Sequence, residues 1–133
     1  LAGDRKFIEK ARKWRKRLGG GLRQSGIIAA PGLIALTKMT DRLVMDHHNA
    51  KLLSSAFRAM SNIKVVNDVD TNIVVVDVAD TGKTSSQFVQ QLEEHGLRVV
   101  TFGQTLVRFT THYDVSKEDI EKAINIVSKV VKP

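Results

Sequence analysis

Near Ser61 the apolar residues change their period, and that change sets the class of fold open to this chain. Upstream, Phe7, Ile8, Ala11, Trp14 and Leu18 recur at the spacing of one helix face. Leu43, Val44, His47, Leu52, Ala56 and Met60 give a second, rougher stripe, with Asp41, Arg42, Asp46, Lys51 and Arg58 left for water. Downstream, Ile63 to Val66 and Asn72 to Val78 are rich in the β-branched residues that suit a pleated, half-covered surface. Helices come first, and strands follow.

The second half carries its own punctuation. Thr84 with Gln87 three residues on forms a capping box before Phe88, Val89 and Leu92, and Gly96 supplies the stop, so a helix is predicted over 85–95. Leu97 to Phe102 and Thr105 to Thr110 are extended again, separated only by Gly103 and Gln104, which is short enough for a tight hairpin. Ser116 and Asp119 make a second capping box, opening a helix with Ile120, Ala123, Ile124, Val127 and Val131 on one side. The order ββαββα predicts a two-layer α/β lobe with helices on one face of a small sheet, mostly antiparallel or mixed.

Charge is concentrated elsewhere. Of 21 Lys and Arg and 14 Asp and Glu, residues 1–23 hold nine of the cations and two of the carboxylates, Asp4 and Glu9. The remaining residues are balanced, so the net +7 belongs to one element, an amphipathic helix predicted over 5–18. Three consecutive glycines, Gly19 to Gly21, stop it and lead into Arg23 in the run GGGLRQSG. Glycine loses more backbone freedom on folding than any other residue, so a triplet implies a path that side chains would block, or a close approach by a ligand or chain. Lys16 and Arg23 flank that turn, where a phosphate could be held by side chains and free amides together. The alternative is a basic face that simply stays in water.

After Ser25 the run IIAAPGLIALTKM is almost uncharged and reads as a buried helix, kinked or begun at Pro31, lying in a core or a subunit interface. Thr40 can cap the helix that follows, and that long helix is expected to join two lobes. His47 and His48 point about 100° apart on a regular helix and do not chelate one metal, so no metal site is expected. There is no cysteine, which removes disulfides and thiolate chemistry. No apolar run reaches the roughly 18–20 residues of a membrane span, and the expectation is a soluble, cytoplasmic protein. Arg108 lies within the apolar strand Leu106 to Thr110, on the face opposite Val107 and Phe109. It is either a strand residue on the wet face or a fork that grips a carboxylate through two parallel hydrogen bonds.

Three segments, WRKRLGGGLRQSGIIAAPGLIAL, the pair Thr71 and Asn72, and VRFTTHYDVSKEDIEKAI, together closely resemble the C-terminal portion of low-specificity L-threonine aldolases. Those are pyridoxal-phosphate enzymes of the aspartate-aminotransferase-like fold type I. The resemblance runs in order over nearly the whole chain and implies a C-terminal fragment. Residues 1–40 would be the tail of the large cofactor domain, and 41–133 a linking helix with the small α/β domain. The resemblance further implies that Arg23 faces the cofactor phosphate across a subunit boundary, that Lys16 adds positive charge at the phosphate end, and that Arg108 binds the α-carboxylate of the substrate. The implied reaction is retro-aldol cleavage of L-threonine or L-allo-threonine to glycine and acetaldehyde, by a homodimer or homotetramer with no nucleic-acid or membrane partner.

The family's cofactor-bearing lysine sits in a segment of the form SKGLGxPxGS, which this sequence lacks. The 133 residues alone are therefore expected to be inactive, with no catalytic residue of their own. His112 and Tyr113 are expected to be structural. A rival reading is a nucleic-acid-binding module that clamps phosphates with helix 5–18 and stacks Trp14 on bases. Its weakness is that Trp14 lies on the apolar stripe, where a core would claim it.

Overall fold

The computed structural model describes residues 1–131; Lys132 and Pro133, at the end of the expected small domain, lie outside the described residues. Two compact units are present, Leu1–Thr40 and Asp41–Pro133.

The first unit holds two helices. α1 spans Arg5–Arg17, and its first turn is capped by Asp4, whose side chain accepts the Phe7 N–H at 2.9 Å. Arg15, Lys16 and Arg17 fill its last turn, where cations favour the negative end of the helix. α2 spans Gly26–Lys38, with Pro31 inside it rather than at its start. Neither helix has a buried residue. Nothing in this unit covers the second helix: Ile27 is 79% exposed, and Ile28, Leu33, Ile34 and Leu36 are exposed too, which leaves a subunit interface as the expectation for its apolar surface. An all-round apolar helix needs cover on every side, which one neighbouring helix does not give. Trp14 is 56% exposed, with the Arg17 guanidinium 5.3 Å from its ring centre, so no core claims it in this unit.

In the second unit, α3 spans Leu43–Arg58, β1 Lys64–Val65, β2 Ile73–Asp77, α4 Ser85–Glu94, β3 Val100–Thr101, β4 Leu106–Thr110 and α5 Lys117–Val131. The ββαββα order is as the sequence indicated. The sheet runs β1-β2-β4-β3, and every pairing is antiparallel, with Val74 opposite Phe109 and Val76 opposite Val107. Alternation sends Val74, Val76, Val107 and Phe109 into a single core with Phe57, Phe88, Leu92, Ile120 and Val127 from the three helices. Phe57 and Phe109 meet at 4.9 Å between ring centres, tilted by 58°.

Both capping boxes form. Thr84 and Gln87 exchange side-chain-to-backbone bonds at the start of α4. Ser116 accepts the Asp119 N–H at 3.2 Å, while the Asp119 carboxylate accepts the Ser116 N–H at 3.2 Å. Gly96 closes α4 with φ +82.

The start and inner face of α3 differ from expectation. Thr40 does not cap it: Arg42 occupies the cap position without a side-chain cap bond. The buried face is Asp46, Asn49, Ala50, Leu53, Ser54 and Phe57, whereas Leu43 and Val44 are exposed. Asp46, expected in water, has a side chain only 4% exposed. Its burial is stabilised by the Arg42 guanidinium, which donates to both carboxylate oxygens, at 2.8 and 2.5 Å.

Candidate functional site

Lys16 and Arg23 belong to the unit Leu1–Thr40, and Arg108 to Asp41–Pro133.

α1 ends in a double closure. The Gly19 N–H donates to the Lys16 carbonyl at 3.3 Å, and the Gly20 N–H to the Arg15 carbonyl at 2.8 Å. Gly19 takes φ +81, a conformation that costs a side-chain-bearing residue strain. The other two glycines sit where a side chain would be crowded. A Cβ at Gly20 would stand 3.2 Å from the Arg15 carbonyl oxygen, and one at Gly21 would stand 3.0 Å from Cδ and 3.6 Å from Nζ of Lys16. The Lys16 side chain therefore lies along the bare backbone of Gly21 and delivers its ammonium to the turn.

Arg23 is exposed in the same turn, followed by Gln24 at φ 50. α2 then begins with no side-chain cap and no carboxylate in its first turn. The Ile27 N–H already donates to the Gln24 carbonyl, and the Ile28 and Ala29 N–H groups to the Ser25 carbonyl. An arginine just before the positive end of a helix and a lysine over glycine backbone suit a doubly charged phosphate. These residues fit the phosphate of the cofactor expected from the sequence.

Arg108 is set by the sheet. β4 turns Val107 and Phe109 to the core and Arg108 to the other face, between Val75 of β2 and Val100 of β3. Its Nε is buried without a hydrogen-bond partner. A buried donor in that state costs about 1–3 kcal/mol, so the position favours an incoming acceptor. The guanidinium carbon stands 5.7 Å from the centre of the Phe102 ring. Phe102 was not anticipated; it follows directly on β3, two residues after Val100, which pairs with Arg108.

The segment after β4 is held from two sides. Thr111 donates its hydroxyl to the Asp46 carbonyl at 2.7 Å, Asn49 donates to the Val115 carbonyl at 3.2 Å, and Asn72 donates to the Thr111 carbonyl at 2.7 Å. Tyr113 stacks on Arg42 at 5.0 Å. The Arg42 guanidinium is held above its ordinary range, first by its hydrogen bonds to Asp46. His112 Nδ1 accepts the Asp114 N–H at 3.3 Å. Both His112 and Tyr113 thus have local structural partners. Among the described residues, no group of three or more His, Asp or Glu is placed to hold a metal ion, and no helix is long and apolar enough to cross a membrane.

Residues 1–81 match the family model described as beta-eliminating lyase. The chain belongs to the beta-eliminating lyase family. Within it, the chain is similar to low-specificity L-threonine aldolase 1 of Arabidopsis thaliana, 34% identical over 127 residues that cover 94% of this chain and 36% of that protein. It is also similar to the low specificity L-threonine aldolase of Escherichia coli strain K12, 36% identical over 120 residues, covering 90% of this chain and 34% of that one. The chain spans about a third of the length of these curated relatives. A crystal structure of Oryza sativa TDC with PLP and tryptamine shares the fold, with a TM-score of 0.60 at 16% identity over 71% of this chain and 23% of that one. The architecture of this beta-eliminating lyase chain is that of the C-terminal part of fold type I enzymes, and the expected cofactor, pyridoxal phosphate, accords with its family.

Proposed function

We propose that this chain is part of a pyridoxal-phosphate-dependent aldolase that cleaves L-threonine and L-allo-threonine to glycine and acetaldehyde. The observation that carries the reading is Arg108, whose buried Nε lacks an acceptor on a strand that sends its neighbours Val107 and Phe109 into the core. A substrate α-carboxylate supplies that acceptor, and the planar fork fixes its orientation as well as its position.

Pyridoxal phosphate, when bound, supplies the electron sink for the charge left at Cα. The chain's own residues do the holding. Arg23 and Lys16 bind the phosphate end, beside the positive end of α2. Arg108 orients the amino acid so that the bond to be broken stands across the ring plane, a positioning contribution of several kcal/mol in well-aligned cases, roughly. His112 and Tyr113 carry no proton in this scheme. The cofactor-bearing lysine lies outside these 133 residues, which are inactive by themselves. The working protein is a cytoplasmic homodimer or homotetramer, with residues 1–40 in its large domain and 41–133 in its small one.

The test is Arg108→Lys in the full-length enzyme. It keeps the charge and loses the fork, so KM rises and kcat falls; unchanged kinetics would sink the assignment. A cofactor absorbance band reducible by borohydride on the 133 residues alone would overturn their inactivity.

The exposure of Trp14 favours one second reading, binding of single-stranded nucleic acid by α1. Its signature is an affinity that falls steeply between low and moderate salt, and we expect none.

A further inference from the structure

We infer that Phe102 is a positioning residue for the carboxylate site, its ring setting the plane in which the Arg108 guanidinium meets the substrate. The inference rests on the reading of Arg108 given above and adds a residue to it.

An arginine side chain on a sheet face has several rotatable bonds, and its fork is useful only when its plane is fixed. Two sets of neighbours constrain it here. The strand places Arg108 between Val75 and Val100, so its stem lies over the face that buries Val75. Nε is buried without a partner, so the near end of the guanidinium is the end left open to an acceptor. The Phe102 ring, with the guanidinium carbon 5.7 Å from its centre, sits at the far end.

The ring itself is held in place. The Phe102 N–H donates to the Leu106 carbonyl at 2.8 Å, closing the hairpin of β3 and β4, so ring and arginine ride on one rigid turn. Phe102 is nevertheless 56% exposed and lies outside the core. A large aromatic left in water at a hairpin end adds little to folding, whereas its negative ring face attracts the cation. It also shields that cation from water on one side, which strengthens the bond to an incoming carboxylate.

The test uses the full-length enzyme loaded with its cofactor and two probes, glycine and glycinamide, which differ in the carboxylate alone. Phe102→Leu should weaken glycine about three- to tenfold, the range that a cation–π contact at a partly desolvated site supplies. Glycinamide affinity and the thermal midpoint should stay as in the parent. Phe102→Tyr, which keeps the ring face, should restore most of the glycine affinity. Arg108→Ala should lose glycine more severely, again sparing glycinamide. If Arg108→Ala loses glycine while Phe102→Leu does not, the role of Phe102 falls and that of Arg108 stands. If Arg108→Ala leaves glycine unaffected, both fall. Equal loss of glycine and glycinamide in Phe102→Leu marks a general structural defect and overturns the proposal.

Discussion

Thr111 donates its hydroxyl to the main-chain carbonyl of Asp46, 65 positions away, across 2.7 Å of buried space. This bond ties the end of the strand that carries Arg108 to the first half of α3. Thr111→Val keeps the shape and removes the donor. It should cost about 1 kcal/mol, read as a lower urea midpoint with an unchanged slope.

Asp46 has a second duty in the same place, as the buried acceptor of the Arg42 fork. Asp46→Asn leaves Arg42 facing a neutral amide that accepts at one atom instead of two. The thermal midpoint should fall clearly further than for Glu93→Gln, whose partner Arg98 sits at 3.8 Å on an exposed surface. Equal shifts would mean that the Arg42 pair adds no more than a surface contact.

The first turn of α5 gives a pH dependence. Glu118 is held below its ordinary value of 4.5, first by hydrogen bonding from its own backbone and then from Ser116. Asp119 is held below 3.8, first by Lys122 and then by Ser116. Carboxylates depressed in the folded state bind fewer protons there than when unfolded. Their contribution is present above the ordinary values and is lost as pH falls through the lowered ones. Ser116→Ala should therefore reduce stability at neutral pH and flatten its decline below about pH 4, as followed by helical circular dichroism in acid titration.

Gly21 offers a test of the phosphate end that leaves every cation in place. A methyl group there meets Cδ of Lys16 at 3.0 Å, so the lysine arm must shift by a few tenths of an ångström along the turn. In the full-length enzyme Gly21→Ala should weaken cofactor affinity severalfold, a fraction of the roughly 1.5–3 kcal/mol that a whole charge-assisted hydrogen bond contributes. Equilibrium dialysis of the cofactor reads this directly, and an unchanged affinity would remove Lys16 from the site.

Much of the second unit was legible because its signals are local. Thr84 with Gln87 and Ser116 with Asp119 act over three residues, and the Gly103–Gln104 turn sits between two clear β runs. Alternation alone put Arg108 on the face away from Val107 and Phe109. The inner face of α3 was not legible. Its polar members Asp46 and Asn49 are buried by partners at Thr111 and Val115, which no window along the helix contains. Leu43 and Val44 misled in the opposite direction, being apolar yet exposed. α2 is a third case, since a helix apolar on all sides carries no information about which side is covered.

The outer strands of the sheet, β1 and β3, are two residues long each. An arriving segment would find room for hardly one pair of ladder bonds on either border, far short of what would hold a fifth strand. The lobe is thereby proofed against growth by edge-to-edge pairing. Any lasting neighbour must instead read its side chains, through helix surfaces or through the face that carries Arg108 and Phe102.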